Sequence, residues 1–355
     1  MLGVIVWLPW MTAPGGRALT GLSLSEWHKD MLQFGTVPAM LAGFLLTALP
    51  RWTGGRRVSA AGLWGLTGLW LLGRTVFLFV SSTAGLGVFT IFILMLLSIA
   101  SARILPANDR RNWKTLLLLL ALLASVVLAT VSPADPFADR VALASLVGLL
   151  IVIGGRVTPA LTIAHIESRA GQIALRRPTR IEHAAAAAAA CALIAWLAIP
   201  DRWPTALLAG LAAFAQALRL VQWQFWRCAT VPSLLALHLG YGWIVVGFAL
   251  LALHIWVPDR LAQAAAVHAW TVGGIGTMAL ALMASMIRRH SGRAFAASRL
   301  ATAAFVSITL CSASRLLVEL LPDQATFLAA TAGSVWIAAF ALFLAAHWRL
   351  LLRPT

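Results

Sequence analysis

Tyrosine, lysine and cysteine are nearly missing from this chain, and acids are few. Tyr241 is the only tyrosine, two of the 27 basic residues are lysine, and 11 residues are acidic. The formal charge of +16 therefore rests on arginines. Most of these sit in short loops between apolar runs, which reads as an orientation signal rather than a nucleic-acid surface. Cys191, Cys228 and Cys311 show none of the close spacings of zinc or redox sites, so buried structural thiols are expected. Residues 2 to 12 lack the basic start and small-residue cleavage site of a signal peptide. They read instead as the end of a first helix whose beginning lies upstream. No catalytic triad, phosphate loop or acid pair appears, and whether the chain turns over a substrate is left open. With no convincing internal repeat and no long linker, a single integral membrane domain over residues 1–355 is expected.

What is present is apolar: 61% of residues, with mean hydropathy +0.89, in runs long enough to cross a hydrocarbon core of ~30 Å. Spans are expected at 28 to 50, 58 to 80, 85 to 105, 113 to 132, 139 to 163, 181 to 199, 203 to 223, 231 to 255, 262 to 287, 298 to 320 and 325 to 348. The fold class is all-α, a polytopic transmembrane helical bundle of about twelve spans with the first truncated. Arginine-rich loops (Arg51/Arg56/Arg57, Arg110/Arg111, Arg176/Arg177, Arg219/Arg227, Arg288/Arg289) alternate with loops marked by Asp135, Asp201, Asp259 and Asp323. The basic side, and with it the carboxyl terminus, is expected in the cytoplasm. Trp27, Trp52, Trp113, Trp203, Trp223, Trp226 and Trp348 fall at span ends, as an aromatic belt requires. Gly62, Gly65, Gly68 and Gly73 form a small-residue face leading to Arg74.

Helix rise converts position into depth. His28, His268, Arg74 and Arg315 reach the outer third of the membrane, and His238, Arg156 and His290 the inner third or its edge. Two imidazoles with two guanidiniums suit a planar dianionic ligand, with axial nitrogens for a haem iron and arginine forks for its propionates. His28 and His268 are the candidate axial ligands, and Arg74 and Arg315 the candidate propionate partners. His238 and His290 are then candidates for a second haem or a copper ion. Plainer roles stand beside these: a membrane histidine also hydrogen-bonds neighbouring helices, and Arg315 has Glu319 one turn on. His238 shares a helix face with Tyr241, and Gly240 and Gly242 leave room for a bulky neighbour. His165, His183, His254 and His347 read as interfacial anchors.

Several stretches together resemble the NnrS family of bacterial inner-membrane proteins: Trp27-His28, Phe34-Gly35, the run Gly43 to Gly54, Leu69 to Arg74, Arg111 to Trp113, Gly154 to Pro159, Leu237 to Tyr241, His268 to Met278 and His290 to Arg293. They run in order through most of the chain. Asp30 stands where a second family histidine often follows His28, and Ser291 where threonine is usual. The resemblance implies a twelve-helix protein associated with haem and copper, located in the inner membrane and linked to denitrification and resistance to nitric oxide stress. Family-style histidines carry over to His28, His238, His268 and His290, and arginines to Arg74 and Arg156.

The resulting expectation is a membrane protein that binds haem, with copper as a second candidate metal, and handles nitric oxide. Its expected partners are the lipid bilayer and nitric oxide or a related small molecule, not nucleic acid. A transporter or channel for a small substrate, anion or metal ion is the alternative. The usual mid-membrane carboxylate of proton-coupled transporters is missing, Glu319 being the deepest acid. A purely structural scaffold is the third option, disfavoured by the buried histidines. Reporter fusions after Arg57, Arg111, Arg177, Arg227 and Arg293 should read as cytoplasmic, and fusions near Asp135, Asp201 and Asp323 as periplasmic. Two or more loops reading the other way would overturn the depth assignments.

Overall fold

The computed structural model describes residues 22–108, 110–133, 135–170, 179–292 and 298–352. The expected helix end at residues 2 to 12 and Arg293 lie outside the described residues, as does the side chain of His290. Among the described residues there is no strand, and eleven helices are long and apolar enough to cross a membrane. Each matches one of the eleven complete spans expected.

Helix α1 runs through Leu24–Asp30, a π-helical stretch Met31–Thr36, and Val37–Thr53. There follow α2 (Ala60–Phe79), α3 (Ser82–Ile104), α4 (Arg110–Val131), α5 (Pro136–Ala170), α6 (Thr179–Ala198), α7 (Trp203–Gln222) and α8 (Pro232–Trp256). Helix α9 is Gln263–His268, a second π-helical stretch Ala269–Gly276, and Thr277–His290; α10 (Arg299–Leu320) and α11 (Ala325–Leu352) close the chain.

Local chemistry sets the ends. Ser23 and Glu26 form a reciprocal capping box on α1, and Ser59, Ser81 and Ser298 each accept a first-turn N–H of α2, α3 and α10. Each satisfies a donor that hydrocarbon would leave unpaired. The long part of α1 ends at Gly54 with φ +67°, a left-handed conformation that costs glycine little. Pro38 accounts for the first π stretch. It has no N–H for the carbonyl of Phe34, and the N–H of Val37 reaches back five residues to Leu32 instead.

The chain divides into two compact units, with the boundary at residues 149 and 150, inside α5. In the first unit α3 packs against α1, α2 and α4, around Phe34, Phe77, Phe89, Ile93 and Leu96. In the second, α8 packs against α7 and α9, and α10 against α11. The fully buried Trp270 lies at its centre, 5.5 Å from the ring of Trp196 and 5.2 Å from that of Phe248. Its bulk fits because Gly247 on α8 faces its indole.

Several expectations about single residues need correcting. Trp113, Trp203, Trp226 and Trp348 are exposed as an interfacial belt requires, but Trp27 and Trp223 are buried. His347 is buried too, its Nδ1 donating to the carbonyl of Phe343 at 2.9 Å, so it is no anchor. Cys228 and Cys311 are buried, whereas Cys191 is exposed. Of the α2 glycines only Gly73 closes on a neighbouring helix, at Phe89, while Gly68 faces open space. The tightest glycine of this unit is Gly85, where a Cβ would run into the backbone of Phe77. Gly85→Val should therefore cost about 1–3 kcal/mol by overpacking, read as a lower unfolding temperature in detergent. Gly68→Ala should leave that temperature unchanged or raise it.

Candidate functional site

The second unit holds a buried polar network. Gln216 and Arg219 lie three residues apart on one face of α7, and Arg219 points its guanidinium between α6 and α8. Its Nη2 is 2.6 Å and its Nε 2.7 Å from Oε2 of Glu182. Nη1 donates to the hydroxyl of Tyr241 at 2.6 Å, and that hydroxyl donates to Oε1 of Gln216, also at 2.6 Å. Gln216 passes its own N–H to the carbonyl of Ala185, and Trp223 caps the other carboxylate oxygen at 3.1 Å. Space for the guanidinium comes from Gly155 on α5, where any Cβ would collide with it. The guanidinium lies 5.3 Å over the Trp223 ring. Each charge in this cluster has a counter-charge and hydrogen bonds, the condition under which an ion pair survives in low dielectric.

One turn before Tyr241, His238 is 3% exposed. Its Nε2 lies 2.9 Å from Oγ1 of Thr162, and that hydroxyl gives its single proton to the carbonyl of Thr158 at 2.8 Å. Nε2 must therefore be the donor. The lone pair then sits on Nδ1, which is buried and meets no hydrogen-bond partner among the described residues. An orphaned imidazole lone pair inside a membrane protein is costly unless something ligates it. Cys228, in the connection before α8, keeps its thiol 3.2 Å from the carbonyl of Phe225, and burial pushes that thiol above its ordinary pKa. It is an inert thiol.

In the first unit, Lys29 pairs with Asp139 at 2.7 Å and with Asp30 at 3.7 Å. Arg74 donates to Oγ1 of Thr36 at 3.0 Å and lies 5.3 Å over the ring of Trp70, whose indole N–H binds the carbonyl of Gly35. No carboxylate reaches Arg74 among the described residues. It is a guanidinium within a membrane span with a hydroxyl and an indole face but no anion.

His28 and Arg74 belong to the first unit, His268 and Arg315 to the second. His28 and Arg156 are half-buried. His268 donates Nδ1–H to the carbonyl of Ala264 at 2.7 Å, which puts its lone pair on Nε2, the tautomer in which a neutral imidazole ligates metal. Arg315 pairs with Glu319 at 3.1 Å, the plainer of its two expected roles. His238 does bond a neighbouring helix, and Gly240 admits Met278 of α9, as its size suggested.

The matching family description is "NnrS protein", over residues 1–355. The chain belongs to the NnrS family. No curated protein matches it. Within the NnrS assignment, Arg219, Glu182, Gln216 and Trp223 are the residues that sequence reasoning missed. Arg219 had been counted as a loop charge, although Gln216 three residues earlier marks a polar face running into the helix.

No three His, Cys, Asp or Glu side chains gather as a metal ion requires among the described residues. A haem brings four nitrogens of its own and needs only one or two imidazoles plus cations for its carboxylates. The orphaned Nδ1 of His238 in the second unit meets one part of that demand, and the anion-less Arg74 in the first unit meets another. Within the buried network, Glu182→Gln leaves the Arg219 charge without its partner and should cost about 3–5 kcal/mol. Tyr241→Phe removes one link and should cost about 1–3 kcal/mol. Denaturation of the two variants in detergent tests this ranking, and equal losses would show that the hydroxyl matters as much as the charge.

Proposed function

We propose that this NnrS-family chain is a haem-binding protein of the bacterial inner membrane that handles nitric oxide, protects the cell against nitrosative stress and serves cells that denitrify. The observation that carries the reading is Arg74, a guanidinium in a membrane span with no carboxylate to neutralise it among the described residues. An anionic ligand supplies what the protein omits. In this reading His28 in the first unit and His268 in the second would each ligate haem iron, and Arg74 and Arg315 would hold haem carboxylates. The iron, when bound, supplies a coordination position at which nitric oxide can be held. The chain's own residues orient the imidazoles, compensate charge and exclude water. His238 offers a further nitrogen on the inner side. Copper, which imidazole also suits, would draw on His238 and on His290.

Glu319, the deepest acid, is paired with Arg315, and Glu182, in the first turn of α6, is held by Arg219 and Trp223. This favours the haem reading over transport. Purified protein should show a Soret band at stoichiometric haem. His28→Ala and His268→Ala should lose haem or shift the spectrum, whereas His183→Ala should leave it intact. Arg74→Ala should weaken retention without altering the ligand field. A colourless, metal-free protein would favour a transporter or channel.

A further inference from the structure

The two units contain the same module. In the first, His28 precedes the π-helical stretch Met31–Thr36, which ends in Gly35-Thr36. In the second, His268 precedes the π-helical stretch Ala269–Gly276, and Gly276-Thr277 follows in the same way. Each helix then ends at a glycine of positive φ, +67° at Gly54 and +64° at Gly292. The next helix opens on a serine cap, Ser59 or Ser298, that accepts the N–H three residues on. It carries an arginine 38 residues after the threonine: Arg74 after Thr36, and Arg315 after Thr277. A third helix places an aromatic ring against the glycine, with a Gly35 Cβ position 2.9 Å from Phe89 and a Gly276 Cβ position 2.9 Å from Trp336.

The π stretches accommodate the different spacing of histidine and threonine in the two copies. His28 and Thr36 are eight residues apart, and His268 and Thr277 nine. In an unbroken α-helix, at about 100° per residue, the second pair would stand roughly 180° apart. The wider i→i+5 turns absorb the extra residue and rotate the threonine back towards the histidine's face. In both copies the histidine and the threonine are about two helical turns apart along one helix. In the first, the hydroxyl accepts from Arg74. In the second, the fully buried Thr277 hydroxyl has no hydrogen-bond partner among the described residues, and Arg315 donates Nη1 to Glu319. Both copies thus carry a histidine, a threonine and an arginine in the same order on successive helices, and in the first copy the arginine has no carboxylate among the described residues.

We propose that the chain carries its binding chemistry in duplicate: one site in each unit, His28 with Thr36 and Arg74, and His268 with Thr277 and Arg315. Each takes an anionic group that imidazole can ligate. Resting on the haem reading above, that is one haem per module. The two are not equivalent electrostatically. Arg74 keeps its full positive charge, which favours the reduced iron, while Glu319 offsets that of Arg315.

The test is haem stoichiometry in the purified full chain after saturation with haemin, by absorbance against protein concentration. Two haems per chain are expected, falling by half in His28→Gln and in His268→Gln and to none in the double variant. Added imidazole should restore the lost half in His28→Gly and His268→Gly, which separates ligand loss from misfolding. Arg74→Gln should lower the midpoint potential of the haem that survives in His268→Gln and leave the one surviving in His28→Gln unchanged. One haem per chain, abolished by either single substitution, would overturn the duplication and leave the haem reading standing. Two haems that persist in the double variant would overturn it as well. No haem in the unsubstituted protein would remove the haem reading itself.

Discussion

The pairing of Arg219 with Glu182 is the constraint around which the second unit is built. A lone charge in hydrocarbon is expensive, so α6, α7 and α8 must meet where guanidinium, carboxylate and phenol complete one another. Gly155 has to lack a side chain for the same reason. Once that node is in place, His238 stands one turn from Tyr241 with its Nε2 tied to Thr162. A polar network that satisfies itself leaves one imidazole nitrogen over, and that leftover carries more functional information than the network does.

The first unit solves the opposite problem. Lys29, Asp30 and Asp139 neutralise one another, while Arg74 is held by neutral groups alone among the described residues. Lys29 has acids beside it and Arg74 a hydroxyl and an indole face, and that contrast is what the proposed anionic ligand rests on. The π-helical stretches alter which residues share a helix face without breaking the helix.

The architecture was legible in the sequence because the bilayer enforces it: about twenty apolar residues per crossing, with arginines at alternate ends. The shared face of His238 and Tyr241 was legible for a similar reason, being fixed by helix period alone. Partnerships were not. Arg219 lies close enough to a span end to pass for a loop charge, and nothing in the sequence around it names Glu182, 37 residues away. Lys29 and Asp139 are 110 residues apart. Trp223 looked like an interfacial ring because position in the sequence measures depth but not which way a side chain faces. The repeated module is hidden in the sequence because its copies differ in the spacing of histidine to threonine, of threonine to glycine, and of serine to arginine. Comparison at fixed spacing loses the match at those points, whereas a wider helical turn absorbs the first.

Helix α5 has a consequence of its own. Its 35 residues extend ~52 Å by rise, against a hydrocarbon core of ~30 Å. Even at the extreme membrane tilt of about 40°, it overreaches that core by roughly 10 Å. Some of its turns must therefore stand among headgroups and water, where backbone hydrogen bonds compete with solvent and a side chain can be reached from the aqueous phase. Asp139 lies near one end of α5 and Glu167 near the other, while Gly155 touches the guanidinium of the buried network.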